Sequence, residues 1–252
     1  MSKGGFRPDQ IVAVILAGGF GTRVQHLLPN IPKPMAPVAG RPCIEWLVRY
    51  LLKQGVRRVI ISTGYRAEVI ERYFQEHPVA GVSISCAAEP RPMGTAGGFA
   101  YAVRSSGLSA PGWLVMNGDT LVFADLKSAF SALLNPEVSG VIYGYEAPDA
   151  SRYGTLVTDA AGNLVRFEEK KPGRGVISTG LYVFRDALLR QFPQREPLSL
   201  EREVFPALTS AGVSLKVLRM TAPFLDIGTP ESLPQAEAFV QANLDWFELA
   251  PV

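Results

Sequence analysis

The sequence is short of cysteine and histidine, and each shortage closes off some chemistry. Among 252 residues stand two cysteines, Cys43 and Cys86, and two histidines, His26 and His77. Two isolated thiols make neither a disulfide framework nor a paired metal spacing, and they fit a reducing compartment. Neither histidine sits in a recognisable catalytic string, so a surface or loop place is expected for both. A dominant charge is missing as well. Lys+Arg 25 against Asp+Glu 23 leaves +2, too even for a nucleic-acid binder, so any polyanion site must be local. Nor is there a long apolar run. Residues 11–16 are too few for a signal core or a membrane span. The expectation is a cytoplasmic protein that engages neither nucleic acid nor membrane.

What is present describes an ordinary globular chain: 47% hydrophobic and 19% charged residues. No repeat, low-complexity tract or linker interrupts it, so residues 1–252 are expected to form one domain. The expected parts are a flexible start at 1–9, one half at about 10–135, another at about 136–228, and a C-terminal helix at about 229–245. Residues 11–16 (Ile-Val-Ala-Val-Ile-Leu) read as a strand buried on both faces. Apolar spacing at Ile44, Leu47, Val48, Leu51 and Leu52, ended by Gly55, predicts a helix. Strands follow at 56–62, 82–86 and 113–116, with helices at 67–74 and 95–103 and one capped by Asp125 running to Leu134. This alternation predicts an α/β fold: a mostly parallel, doubly wound sheet with helices on both faces. Residues 141–145, 154–157, 164–167 and 181–184 are strand-like with few helices between, which predicts a mixed or antiparallel extension carrying a second binding surface. A short helix at 200–205 is expected to stop at Pro206, a strand at 213–220, and a helix at 232–243 after Thr229-Pro230-Glu231.

Ala17-Gly-Gly-Phe-Gly-Thr-Arg23 follows the first strand, where open α/β sheets bind ligands. Gly18, Gly19 and Gly21 let backbone N–H groups approach a phosphate, and Arg23 adds a permanently charged fork. Lys33, between Pro32 and Pro34, is a second cation on a stiff segment. The glycines alone also fit a plain strand-to-helix turn. A dinucleotide fingerprint would need glycine where Val24 stands, and a Walker loop needs a Gly-Lys pair, which the chain lacks. Asp119 in Asn117-Gly118-Asp119 and Asp226 in Phe224-Leu-Asp226-Ile-Gly228 both follow strand-like sequence. Each alone also suits a turn or cap.

Residues 16–23, with Pro32-Lys33-Pro34-Met35 and Pro37-Val-Ala-Gly-Arg-Pro42, resemble the signature of the sugar-1-phosphate nucleotidyltransferases. That resemblance implies a Rossmann-like core and Mg²⁺ bound by Asp119 and Asp226. It implies Arg23, Lys33 and Asp119 as the catalytic set, and a nucleotide site from Leu16, Ala17, Gly18, Gly19, Gly21, Thr22, Glu89, Gly94, Thr95 and Gly118. It also implies that the sugar phosphate meets Gly154, Glu169, Lys170 and Thr179, in Tyr153-Gly154, Phe167-Glu-Glu-Lys170 and Ser178-Thr-Gly-Leu-Tyr182. Taken alone, residues 168–171 read equally as a solvated charge cluster.

Glu89-Pro-Arg-Pro-Met-Gly94-Thr-Ala-Gly-Gly98 bears on the base. A carboxylate only accepts hydrogen bonds. Guanine presents two adjacent donors, whereas uracil and thymine present one between two acceptors. The alternative is an exposed loop charge at Glu89. The string resembles that of guanylyltransferases, and Ser199-Leu-Glu201 ahead of Phe205-Pro206 resembles the D-glycero-D-manno-heptose 1-phosphate group. The resemblance implies GTP and a sugar 1-phosphate as partners, possible homo-oligomers, and a product destined for capsule or surface glycan. Mannose 1-phosphate with GTP and glucose 1-phosphate with UTP or dTTP are the competing substrates. A regulatory subunit that only binds nucleotide-sugars would be expected to lack one of Arg23, Lys33, Asp119 or Asp226, and all are present.

Overall fold

The computed structural model describes residues 6–168 and 172–247. In chain order the strands are β1 (Val12–Ala17), β2 (Pro37–Val38), β3 (Arg41–Pro42), β4 (Arg58–Thr63), β5 (Ser83–Ala88), β6 (Gly112–Asn117), β7 (Thr120–Val122), β8 (Gly140–Ala147), β9 (Thr155–Thr158), β10 (Leu164–Glu168), β11 (Gly175–Arg185), β12 (Leu215–Met220) and β13 (Phe224–Asp226). The α-helices are α1 (Cys43–Lys53), α2 (Ala67–Glu76), α3 (Gly94–Ser106), α4 (Lys127–Ala132), α5 (Phe205–Ser210) and α6 (Ala236–Gln241).

Among the described residues one nine-stranded sheet organises the fold, in the order β10-β9-β11-β6-β1-β4-β5, with β8 joining β11 to β12. The block β6-β1-β4-β5 is parallel throughout. β11 runs antiparallel to β6 and to β8, and β9 and β10 form an antiparallel pair beyond it. The expected α/β sheet and its mixed extension are therefore both present.

Alternation along β1 explains why its sequence is continuously apolar. Ala13, Ile15 and Ala17 enter a core shared with α1 and α2, while Val12 and Val14 enter the opposite core with α3 and α5. Both faces are covered by helices, so neither tolerates a polar residue. Truncating Ile15, wholly buried, to alanine should cost about 2–5 kcal/mol. α1 ends as expected, with Gly55 in the left-handed region at φ 87°.

Connections leave β1 in opposite directions. The chain builds β4 and β5 on one side, then returns across the sheet through α3 to place β6 on the other. The carboxyl ends of β1 and β6 thus border a topological switch point, where such sheets open a crevice. The Gly18–Arg23 loop leaves one of these ends and Gly118-Asp119 the other.

Several boundaries depart from expectation. Pro206 does not end the helix at 200–205. Residues Leu200–Val204 form a π-helical turn, and Pro206 opens α5, where a missing N–H is harmless. The helix expected at 232–243 is divided into Leu233–Gln235, α6 and Leu244–Trp246, with Pro234 in the first turn of the first piece. Asp125 lies one residue ahead of the N-cap Leu126 and accepts from the Lys127 N–H at 3.0 Å, and α4 stops at Ala132. Within the start expected to be flexible, Phe6 lies under the Arg185 guanidinium at 4.9 Å and Pro8–Gln10 forms a 3-10 turn. Among the described residues no helix is long and apolar enough to cross a membrane.

Candidate active site

Among the described residues, three contiguous cavities open along the switch point. The first, about 210 Å³, is lined by Leu16, Ala17, Gly19, Gly21, Thr22, Arg23, Lys33 and Asp119, with Pro34 and Gly228. The second, about 330 Å³, is lined by Gly18, Phe20, Glu89, Met93, Gly94 and Thr95 and shares Leu16, Gly19 and Asp119 with the first. The third, about 230 Å³, holds Arg152, Tyr153, Gly154, Phe167, Ser178, Thr179, Tyr182, Glu201 and Asp226, with Arg23 and Asp119 again on its wall. Asp119 therefore borders all three.

Lys33 reaches Asp119 from a 3-10 turn, Lys33–Met35, that buries the lysine stem. Its Nζ lies 2.5 Å from Asp119 Oδ2, with side chains 8% and 34% exposed. β7 and β13 bring the second aspartate across: Asp226 pairs with Thr120 in antiparallel register, and the Ile227 N–H donates to the Asp119 carbonyl at 3.0 Å. Around Gly228 the charged ends converge. A Cβ added there would stand 2.6 Å from Asp226 Oδ1, 2.9 Å from Lys33 Nζ and 3.3 Å from an Arg23 terminal nitrogen. Burial pushes the Asp226 carboxyl above the usual carboxylate range, and the charge of Asp119 pushes it further, against the pull of Lys33 and Arg23. Two hard carboxylates that repel each other suit a divalent cation. Among the described residues no group of three or more candidate ligands forms. A hard divalent cation can accept two protein carboxylates, filling the rest of its shell with water and phosphate oxygens.

The second cavity is built around Glu89. Its Oε1 accepts from Ser62 Oγ at 2.9 Å and its Oε2 from the Met93 N–H at 3.1 Å. Burial raises its pKa, against the pull of those donors. The carboxylate is wedged between Gly18 and Gly98, where an added Cβ would stand 2.4 and 2.6 Å from Oε1. Gly94 adopts φ 77°, and its own Cβ would meet the Leu198 carbonyl oxygen at 2.5 Å. Glycine is required there on both counts.

Most expected site residues are thus brought together. Gly118 lines none of the three cavities. It buttresses the strand ends instead, its N–H donating to the Leu16 carbonyl at 2.8 Å. The Thr179 hydroxyl is already committed, donating to the Tyr143 carbonyl at 2.9 Å from a site 2% exposed. Thr95 donates through its hydroxyl to Glu201 at 2.9 Å. Glu169 and Lys170 lie outside the described residues. Asn117, Ser62, Arg152 and Glu201 escaped sequence reasoning as site residues. Asn117 opens the very string that holds Asp119, a signal that was available. His26 and His77 are exposed and line none of the three cavities.

Comparison with known proteins bears on the family. Residues 12–243 match the family described as nucleotidyl transferase. The chain belongs to that family. This nucleotidyltransferase is 32% identical to the D-glycero-alpha-D-manno-heptose 1-phosphate guanylyltransferase of Aneurinibacillus thermoaerophilus over 91% of its own length and 98% of the relative's. It is 34% identical to the mannose-1-phosphate guanylyltransferase of Mycobacterium tuberculosis, but spans only 64% of that longer protein. Its fold matches the crystal structure of HddC from Yersinia pseudotuberculosis complexed with GMP-PN, at TM-score 0.78 and 32% identity over 90% of this chain and 98% of that one.

Proposed function

We propose that the nucleotidyltransferase joins GTP to a sugar 1-phosphate, D-glycero-α-D-manno-heptose 1-phosphate in first place, releasing pyrophosphate and a GDP-sugar. One observation carries the reading. A phosphate-type cavity, a base-type cavity and a third, hydroxyl-rich cavity meet at Asp119, with Lys33 and Arg23 beside it. The triphosphate lies in the first, the base in the second and the sugar phosphate in the third. The resulting reaction is an in-line attack by a sugar-phosphate oxygen on the α-phosphorus. That oxygen is already anionic at neutral pH, so no general base is needed. The site accordingly does without histidine.

Catalysis then rests on positioning and charge. The backbone of residues 17–22 and the Arg23 and Lys33 side chains hold the phosphates of the triphosphate. Arg152, with Glu169 and Lys170 beyond β10 in sequence, completes the acceptor side. Asp119 and Asp226 would hold Mg²⁺, which when bound neutralises phosphate charge and orients phosphate oxygens. Glu89 selects guanine by accepting from its two adjacent donors. The similarity to heptose 1-phosphate guanylyltransferases over nearly their full length supports both the base and the sugar. Cytoplasmic residence and a surface polysaccharide as the product's destination are part of the same proposal.

The Mycobacterium relative keeps α-D-mannose 1-phosphate as the second reading. Pyrophosphate release settles the choice, measured with GTP, ATP, UTP and dTTP against the 1-phosphates of manno-heptose, mannose and glucose. GTP with the heptose should give the highest kcat/KM. Faster turnover with another nucleotide or sugar overturns that part of the proposal.

A further inference from the structure

The Ser199-Leu-Glu201 string stands at the head of the π-helical turn Leu200–Val204. Ser199 caps the π-helical turn Leu200–Val204, accepting from the Arg202 N–H at 3.2 Å, while its own N–H donates to Glu203 at 2.6 Å. This reciprocal cap fixes Glu201 in the first turn. The preceding residue stitches the turn to α3: the Leu198 carbonyl accepts from the Ala96 and Gly97 N–H groups at 2.9 and 3.0 Å. Glu201 is thereby held between the loop of the second cavity and the wall of the third.

Its carboxylate is surrounded by hydroxyl donors. Oε2 accepts from Ser199 Oγ at 2.8 Å and Thr95 Oγ1 at 2.9 Å, and Oε1 accepts from the Tyr182 hydroxyl at 3.1 Å. Ser178 Oγ lies 3.0 Å from that tyrosine oxygen. With Tyr182 donating to Glu201, Ser178 donates to Tyr182. A carboxylate offers about four acceptor directions. Three are taken, both of those on Oε2 and one on Oε1. Glu201 also lines the third cavity and neither of the others. A neutral amide would serve the internal hydroxyls equally well, its oxygen facing Ser199 and Thr95 and its nitrogen donating to Tyr182. A carboxylate is needed only if something further donates to it.

We propose that Glu201 is a specificity-determining residue: its Oε1 accepts from a ring hydroxyl of the pyranosyl 1-phosphate. This rests on the proposed function and deepens it. The hydroxyls of Tyr182, Thr95 and Ser199 hold the carboxylate in one rotamer, so its reach selects one hydroxyl position. The same carboxylate ties the sugar cavity to the start of α3, which also frames the base cavity.

The test is E201Q, assayed with GTP against α-D-mannose 1-phosphate and its monodeoxy analogues, or against the heptose counterparts if only those are turned over. The KM for the sugar phosphate should rise about 10- to 100-fold, with the KM for GTP and kcat within about twofold. With one deoxy analogue the two enzymes should become equal, because the contact is then missing from both. If E201Q fails to fold, E201D retains the charge, shortens the reach and should show the same split. An unchanged sugar KM, or an equal loss on every analogue, overturns the inference and leaves the nucleotidyl transfer standing. Absence of turnover by the unsubstituted enzyme with every sugar 1-phosphate overturns the proposed function and this inference together.

Discussion

Lys33 Nζ sits 2.5 Å from Asp119 Oδ2 at the one point where all three cavities meet. The pair is charge-assisted and nearly enclosed on the lysine side, so each group sets the position of the other. Asp119→Ala should lower kcat on the order of 10³-fold or more, and Lys33→Ala on the order of 10²-fold. Removing both should cost little more than removing Asp119 alone, because groups that act as a unit are not additive. Pre-steady-state pyrophosphate release on the two single variants and the double variant checks this. Fully additive losses would mean that the two act separately.

Glu89 links base recognition to pH. Burial raises its pKa, and the Met93 N–H and Ser62 hydroxyl restrain the rise. Only the ionised form accepts from both guanine donors. As pH falls through the raised value the carboxyl gains its proton, and the KM for GTP should climb. Stability runs the other way. A raised pKa in the folded state favours the neutral acid, so that contribution is present at low pH and is lost as pH rises through the folded value. Glu89→Gln should therefore flatten the pH profile of the GTP KM. It should also lower kcat/KM for GTP about 10- to 100-fold relative to UTP. A Glu89→Gln enzyme with unaltered base preference would take this residue out of recognition.

Much of this was legible in the sequence, for identifiable reasons. β1 declared itself because burial on both faces leaves no room for polar residues between Ile11 and Leu16. The glycine loop, Arg23 and Lys33 are close in sequence, so their shared site was readable. Asp119 and Asp226 are far apart, and only the pairing of β7 with β13 unites them. Resemblance supplied that link where spacing could not. Glu201 was passed over because its role depends on Thr95 and Tyr182, from two other elements. Pro206 misled because a proline reads alike at the end of one helix and at the start of the next.

Gly228 gives a sharper test of the charged centre than removing a charge. An alanine Cβ there would meet Asp226 Oδ1 at 2.6 Å and Lys33 Nζ at 2.9 Å. Both are ends of side chains, so the chain can still fold while the carboxylate and ammonium are displaced. Misplacement on the order of 1 Å costs about 10²-fold in rate. Gly228→Ala should lose about that much kcat/KM while its melting temperature moves by only a few degrees. A matching collapse of stability, followed by circular dichroism, would instead mark Gly228 as a folding residue.

Glu45 separates stability from catalysis, because it lines none of the three cavities. It sits on α1 with its side chain 3% exposed, between Arg41 and Arg49 at 2.7 Å each, and it accepts from the Tyr73 hydroxyl. Burial pushes its pKa up, but the hydrogen bonds from Tyr73 and Arg49 and the charges of both arginines outweigh this and hold it below the usual carboxylate range. A depressed pKa contributes stability above the unfolded value and loses it as pH falls through the folded one. Glu45→Gln should cost about 1–3 kcal/mol at neutral pH, less than a fully buried pair because both arginines are partly exposed. The deficit should shrink in acid, where the parent loses the same charge. Urea unfolding at neutral and acidic pH measures both, and kcat at 25 °C should be unchanged. A deficit that stayed constant with pH would mean that the lost hydrogen-bond acceptor, rather than the lost charge, accounts for it.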